Sequence, residues 1–178
     1  TPLEALEKNI RGGIEKTNLS VMKMMILGLL AGVFIAFGGA ASNTVAHTIN
    51  NVGLSKMIAG AIFPVGLIMI VLIGGELFTG NILIAMAVYD GHVTWKRCIR
   101  NLAIVYFANM VGAMVVAALV FLSGNMDISD GAIGAYTIKV AMSKTNLSVI
   151  QCIVSGTLCN ILVFVAILMG TTSHDIIG

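Results

Sequence analysis

Two lysines stand out because each opens a copy of the same hexapeptide at the edge of a long apolar segment. The string KTNLSV occurs at Lys16–Val21 and again at Lys144–Val149. An ammonium group at the entrance of a membrane segment raises the local concentration of anions without binding them tightly. Such a pair suits a pore or carrier for anions, but lysines beside membrane helices often only snorkel to the interface. The lysines alone leave both interpretations open.

A carboxylate inside an apolar segment is the second chemical feature. Glu76 lies in the string GGELFTGN, Gly74–Asn81. An ionisable residue at membrane depth usually indicates function. We expect a structural role for Glu76, in which its carboxylate accepts hydrogen bonds from free backbone N–H groups or caps the following helix. The sequence has no clustered metal ligands and no pairing of a nucleophile with a base, so we expect no cofactor and no enzymatic activity.

Composition sets the class of protein. The chain has 178 residues, of which 58% are hydrophobic and only 10% charged, and its mean hydropathy is +1.00. A chain this apolar belongs in a bilayer. The net charge of +2 is small and the basic residues are scattered, which argues against nucleic acid as a partner. The sequence places no further cysteines or metal ligands near Cys98, Cys152 and Cys159 that would form a disulfide framework or a zinc site. We expect these three cysteines to be packing residues.

Hydrophobic patterning predicts an all-α membrane protein with one membrane domain over residues 1–178. Residues 1–17 carry charges at helical spacing and predict an amphipathic helix at the membrane surface. Four apolar regions follow, at about 19–46, 54–89, 102–122 and 147–169, joined by predicted loops. Lysine and arginine concentrate before the first region and between the second and third. This bias predicts a cytoplasmic N-terminus in a multi-pass protein of the cytoplasmic membrane.

The second apolar region is too long for one straight crossing. Its roughly 36 residues would extend about 54 Å as a helix, whereas a hydrocarbon core is about 30 Å thick. The string at Gly74–Asn81 leaves too few residues after it for a second full crossing. A broken helix satisfies both limits, with a break at 74–81 buried in protein or lining a wet cavity. We therefore expect this break to be part of a transport pathway.

The hexapeptide repeat predicts inverted symmetry. Aligning its two copies also places Gly28 on Gly156 and Gly32 on Asn160, so the similarity continues into both apolar segments. Three predicted crossings separate the copies, and an odd number means that the second copy enters from the opposite side. The two lysines are then expected at opposite mouths of a bundle with an inverted repeat.

Two longer strings carry a family resemblance. VLIGGELFTG at Val71–Gly80 resembles the first signature of the formate/nitrite transporter family, and GTLCNILVFVA at Gly156–Ala166 resembles the second, with Phe164 where the family usually has cysteine. The resemblance implies an aquaporin-like bundle of six spans that assembles as a homopentamer. It also implies a second broken helix that carries a central pore histidine. Only the N-terminal four spans are expected here, and the histidines His47, His92 and His174 all fall in predicted loops.

The resemblance also implies roles for individual residues. The external constriction is expected at Phe63 and Leu67. The cytoplasmic constriction is expected at Leu77 and Phe78, with Thr79 as the polar residue beside it. Asn160 is the expected polar residue in the fourth span, and Lys16 and Lys144 are the expected vestibule lysines.

The function implied is a channel or proton-linked transporter for small monovalent anions of weak acids, such as formate, nitrite or hydrosulfide. The expected partners are the anion, the lipid bilayer and further copies of the chain. An aquaporin-like pore for neutral small solutes is the alternative. It is disfavoured because no Asn-Pro-Ala string occurs and because lysines stand at both expected mouths.

Overall fold

The computed structural model describes residues 2–172, and every regular element in that range is helical. Four stretches of helix are long and apolar enough to cross a membrane, at Val21–Ala46, Val52–Ile73, Trp95–Leu122 and Val149–Thr172. The elements are α1 (Pro2–Asn18), α2 (Val21–Ala46), α3 (Val52–Ile62), α4 (Val65–Ile73), α5 (Phe78–Asn81), α6 (Ile84–Tyr89), α7 (Trp95–Leu122), a 3-10 turn (Asn125–Asp127), α8 (Ala132–Thr145) and α9 (Val149–Thr172).

Helices α2 and α7 form the central contact of the fold, and small residues allow it. A Cβ atom added to Gly32 would lie inside contact distance of the Asn109 carbonyl oxygen, and one added to Gly112 would collide in the same way with the Leu29 carbonyl oxygen. Gly28 lies against Val105 and Ala108, whereas Gly112 lies against Leu29 and Val33, so the residue numbers increase in the same direction and the two helices run parallel. Close backbone approach through small residues is a usual form of helix packing in membranes, where lipid supplies no hydrophobic drive.

The second apolar region is interrupted three times, at residues 63–64, 74–77 and 82–83. A first break separates α3 from α4 at Phe63–Pro64, where the proline removes a backbone donor. The second break is a non-helical segment at residues 74–77, which is shorter than the expected 74–81 because α5 adds a helical turn at Phe78–Asn81. Glu76 is level with Leu27, about 9 Å along α2 from Val21, so the break lies nearer to the α1 end than to the middle of α2.

Helix α1 packs on the rest of the protein along one face. Ala5 and Asn9 are buried on this face, and Gly13 lies against Ala87 and Ile84 of α6. The Asn9 Nδ2 atom donates to Thr171 Oγ1 of α9 at 3.1 Å. The helix expected at the membrane surface therefore also closes one end of the bundle.

The repeated hexapeptide forms the same helix junction at both of its sites. Ser20 caps α2 by accepting from the Lys23 backbone N–H at 3.3 Å. Ser148 in the second copy accepts from the Gln151 backbone N–H at 3.3 Å, and Gln151 Oε1 accepts in return from the Ser148 N–H at 2.8 Å. This reciprocal arrangement is a capping box. Each copy thus ends one helix and begins the next.

Two predicted loops are wrong in part. The loop expected between the second and third apolar regions is shorter, because helix α7 already begins at Trp95. Residues 123–144 were expected to be a loop, but Ala132–Thr145 form helix α8. Gly131, at φ +80°, begins this helix after a short 3-10 turn. Helix α8 precedes α9 as α1 precedes α2, so the repeat is a pair of helices and not only an apolar span.

The two copies lie at opposite ends of the bundle. Asn43, near the end of α2, donates from Nδ2 to Thr137 Oγ1 of α8 at 3.2 Å. Lys16 instead lies beside the beginning of α2, and the end of α9 returns to α1 through Thr171. The chain direction of α9 is therefore opposite to that of α2, as an inverted repeat requires.

We predict that Gly32→Ala lowers the free energy of unfolding of the detergent-solubilised protein by about 1–3 kcal/mol, because backbone atoms of α7 must move to admit the methyl group. Gly39→Ala is the matched control, since it lies on the same helix with nothing within 4 Å of an added Cβ atom. The control should be neutral or slightly stabilising. Equal losses for the two variants in thermal melts would contradict the close contact of α2 and α7.

Candidate functional site

The segment at residues 74–77 crosses the face of α2 as non-helical backbone. Gly74 adopts φ +102° and ψ 142°, a conformation that L side chains rarely adopt. A Cβ atom on Gly75 would lie 3.3 Å from the Ala31 Cβ atom, so the chain passes close to α2 there. The Glu76 backbone N–H then donates to the Leu27 carbonyl oxygen at 3.1 Å.

Asn109 of α7 holds this segment from the other side. Its Nδ2 group donates to the Glu76 carbonyl oxygen at 2.8 Å and to the Gly28 carbonyl oxygen at 2.7 Å. Its Oδ1 atom accepts from the Phe78 backbone N–H at 2.9 Å. One amide side chain thus uses both donors and its acceptor to join the interrupted segment to α2 and α7.

The Glu76 carboxylate forms a buried polar cluster with side chains from two other elements. Its Oε1 atom accepts from Lys16 Nζ at 2.7 Å, and its Oε2 atom accepts from Asn81 Nδ2 at 2.6 Å. Lys16 Nζ also donates to Asn81 Oδ1 at 3.0 Å. The Glu76 side chain is 6% exposed and the Lys16 side chain 34%. We call Lys16, Glu76 and Asn81 the charged cluster.

Asn101 of α7 connects the charged cluster to the core. Its Oδ1 atom accepts from Asn81 Nδ2 at 2.8 Å, and its Nδ2 group donates to the Lys16 carbonyl oxygen at 3.1 Å. We expected the Glu76 carboxylate to cap a helix or to accept from backbone N–H groups, and this prediction of its partners is wrong. The carboxylate meets side chains, and α5 begins at Phe78 without a side-chain cap.

A cavity of about 810 Å³ opens beside the charged cluster. Leu67 of α4 and Leu77 of the interrupted segment both line it, together with Lys16 and Glu76. Further side chains of α1 also line its wall, among them Lys8 and Arg11. Two leucines expected at separate constrictions therefore face one space.

The other expected constriction residues do not line this cavity. Phe78 packs edge-on against Tyr106 of α7, with ring centroids 5.4 Å apart. Phe63 is the C-cap residue that follows α3, and it is 45% exposed. Thr79 is half-buried within the helical turn α5, which contacts α7 and α9. The structure leaves the pore roles of these three residues as predictions.

Asn160 and Lys144 lie apart from the charged cluster. Asn160 lines a separate groove of about 750 Å³, which Cys152 and Phe164 share. Its Nδ2 group donates to the Gly156 carbonyl oxygen at 3.0 Å, whereas its buried Oδ1 atom has no donor within residues 2–172. Lys144 is exposed at the end of α8, and its ammonium has no partner in the same range.

Histidines and cysteines add no reactive group to the cavity in the described part of the chain. His47 follows α2 and its Nε2 atom lies 3.0 Å from Ser129 Oγ, while His92 lies in the turn before α7. His174 lies outside the described residues. Cys98 is a buried packing residue, and Cys152 and Cys159 are exposed. No group of three or more metal-ligating side chains occurs among the residues described.

Sequence reasoning missed two asparagines of the site, Asn81 and Asn101, and predicted only a part of the role of Asn109. An asparagine in the third apolar region predicts a hydrogen bond between helices, which the bond from Asn109 to Gly28 confirms, but Asn109 also binds Glu76 and Phe78 of the interrupted segment. The available signal was the presence of amide side chains within apolar stretches, where an unpaired polar group is costly. Spacing alone could not show that Asn101 and Asn109 face the same segment, because each also fits a contact between two straight helices.

These features define a helical membrane protein whose interrupted span faces a cavity beside a buried ion pair. The family model for the formate/nitrite transporter matches residues 3–178, and the chain belongs to this family. It is 32% identical over 166 residues to the formate channel FocA of Escherichia coli strain K12, with 92% of this chain and 58% of that protein covered.

Two further similarities agree with this assignment. The chain is 34% identical over 183 residues to the uncharacterised transporter YrhG of Bacillus subtilis, covering 99% of this chain and 67% of that protein. It matches the structure of a pentameric formate channel with formate bound at TM-score 0.79 and 30% identity, covering 88% of this chain and 62% of the other. The chain thus spans about three fifths of the length of FocA and of that channel.

We predict a measurable coupling within the charged cluster. Replacing Lys16 with Gln leaves the buried Glu76 carboxylate without a cation, whereas Glu76→Gln removes the charge and keeps a similar shape. A double-mutant cycle on thermal stability should give a coupling energy of about 1–3 kcal/mol, below the value for a fully buried pair because Lys16 is partly exposed.

The matched control is the Arg11–Glu7 pair of α1, whose atoms are 3.8 Å apart and whose side chains are 74% and 70% exposed. Removing either member should leave stability unchanged within error. A coupling at Lys16 and Glu76 no larger than in this control would contradict the structural role of the ion pair.

Proposed function

We propose that this protein passes small monovalent anions of weak acids, such as formate, nitrite or hydrosulfide, across the cytoplasmic membrane. The observation that carries the proposal is the cavity that Leu77 of the interrupted segment and Leu67 of α4 both line beside the Lys16–Glu76 pair. An apolar narrowing next to polar side chains excludes hydrated ions by dewetting. Its similarity to FocA and to a formate-bound channel supports the choice of substrate class.

The apolar side chains act as barriers at two levels. Leu67 is proposed for the external constriction and Leu77 for the cytoplasmic one, since each reaches the cavity. Phe63 and Phe78 are proposed to assist them, and Thr79 to supply a hydroxyl beside the path. Asn160 is proposed as a polar pathway residue, which its unpaired buried Oδ1 atom supports. That acceptor needs an N–H or O–H donor, and a protonated weak acid is one such donor.

The two lysines are proposed to attract anions unequally. Lys16 shares its charge with Glu76 at 2.7 Å, so its field is largely cancelled at distances beyond the pair. Lys144 is exposed and unpaired within residues 2–172, so its field extends into water to about the screening length. We therefore assign the greater part of the anion attraction to Lys144. Lys16 mainly holds the interrupted segment in place.

The assembly and orientation complete the proposal. We propose a homopentamer, supported by the pentameric channel to which the chain is similar. The N-terminus is proposed to face the cytoplasm, because lysine and arginine concentrate at the α1 end of the bundle. A channel and a proton-linked carrier are both consistent with a path that combines apolar barriers and polar residues.

Flux into proteoliposomes tests the proposed function. We expect formate and nitrite to enter down their gradients, with a rate that depends on anion identity and on an imposed pH gradient. Vesicles without protein set the background. Passage of water or glycerol at a rate indifferent to pH, with no anion flux, would replace this proposal with the neutral-solute pore.

Charge reversal at Lys144 tests the anion attraction. Lys144→Glu converts an attraction of about 1 kcal/mol, for unit charges about 4 Å apart in water, into a repulsion of similar size. Anion uptake at low ionic strength should fall several-fold and recover partly at high salt. Lys139→Glu is the matched control, because this exposed lysine of α8 lies five residues earlier on a different face of the helix. A loss that ignores salt, or an equal loss in the control, would refute the role of Lys144.

A further inference from the structure

A second groove lies on the outer surface between α2 and α7. It has a volume of about 450 Å³ and shares no residue with the cavity of the candidate site. All its lining side chains are apolar, and most are about half exposed. The principal ones are Met22, Met25 and Leu29 of α2 and Ile104, Phe107 and Val111 of α7. We call this surface the α2–α7 groove.

The tight contact of the two helices explains why the groove exists. Ala108 forms part of its floor and is buried against Gly28, where an added Cβ atom would lie 2.7 Å from the Ala108 Cβ atom. Larger side chains stand on both sides, with Phe107 59% exposed and Met22 65% exposed. Small residues where the two helices touch and large residues on either side leave the α2–α7 groove, which no other part of residues 2–172 fills.

Two arginines lie at one end of the α2–α7 groove. Arg97 precedes Ile104 by seven residues and Arg100 precedes Phe107 by seven, so both lie on the groove side of α7. The Arg97 Nη1 group donates to Asn18 Oδ1 at 3.4 Å, which places this guanidinium beside the start of α2. Both arginines are exposed. The α2–α7 groove therefore has a cationic end and an apolar interior.

Aromatic residues place the arginines at the level of a membrane surface. Trp95 begins α7, and its ring packs edge-on against that of Tyr89 with centroids 5.7 Å apart. Both rings are largely exposed, as is usual for the aromatic belt at a membrane–water interface. From this level the groove descends beside α2 from Val21 to Leu29, about 12 Å into the apolar region.

We propose that the α2–α7 groove binds one acidic phospholipid from the leaflet on the α1 side. An acyl chain lies in the groove, and the lipid phosphate is bound by Arg97 and Arg100. Guanidinium groups bind phosphate oxygens through paired N–H donors, which makes arginine well suited to this contact. Basic sites between membrane helices on the side with excess positive charge select lipids of net negative charge.

Site-directed quenching tests the proposal. Trp95 is the sole tryptophan of the sequence, so Phe107→Trp in a Trp95→Phe background reports from within the groove. The protein is reconstituted in phosphatidylcholine vesicles containing dibrominated phosphatidylglycerol or dibrominated phosphatidylcholine. We expect the acidic lipid to quench the reporter at position 107 with an apparent affinity roughly five- to tenfold higher. Met110→Trp, on α7 but outside the groove, should show no preference between the two lipids.

Charge variants identify the headgroup contact. Arg97→Gln with Arg100→Gln should abolish the preference for the acidic lipid while leaving quenching by phosphatidylcholine unchanged. Lys23→Gln is the control for a loss of surface charge, because this exposed lysine lies at the same end of α2 but on a face away from the groove residues. The control should retain the preference.

Three outcomes would overturn the proposal. Equal quenching by both lipids would mean that the groove holds only unselected bilayer lipid. An equal effect of the lysine and arginine variants would mean general surface charge. A reporter at position 107 that neither lipid quenches, with cross-links between copies at a cysteine placed there, would assign the groove to a contact between protomers.

Discussion

The polar backbone at residues 74–77 must find hydrogen-bond partners in an apolar region, and the rest of the structure follows from that need. Lipid offers no donors or acceptors, so each N–H and C=O group released from the helix requires a partner in the protein. Leu27 supplies a carbonyl from α2, and Asn109 supplies an amide from α7. Both can reach the segment only because α2 and α7 touch at Gly32 and Gly112. The close seam between these helices is therefore a condition for the interrupted span.

A second constraint comes from the Glu76 carboxylate. An ionised carboxylate that is 6% exposed needs a counter-charge and hydrogen-bond donors. Lys16 supplies the charge from the last turn of α1, so a helix that seemed peripheral becomes part of the site. Asn9, two turns earlier, fixes the same helix to the end of α9. Movement of α1 would therefore expose the carboxylate, and this couples the position of α1 to the shape of the cavity.

Local patterns in the sequence predicted the main architecture. Apolar runs predicted an all-helical membrane protein, and the length of the second run together with the string at Gly74–Asn81 predicted its interruption, because both signals lie in neighbouring residues. The partners of Glu76 could not be read in this way, since Lys16 is sixty positions away and Glu76 could equally have met backbone donors. Helix α8 was missed because Gly131 and the polar residues before it resemble a loop.

The repeated hexapeptide specifies a local helix junction but not what its lysine binds. In both copies the serine caps a membrane helix. Lys16 is held by a carboxylate from the interrupted span, whereas Lys144 is exposed and unpaired within residues 2–172. A paired charge acts over little more than the length of the pair, and a free one acts over about 8 Å at physiological ionic strength. The two copies of the repeat are therefore similar in backbone structure but differ in electrostatics. The α1 end has a rigid polar cluster, whereas the α8 end has an exposed positive charge.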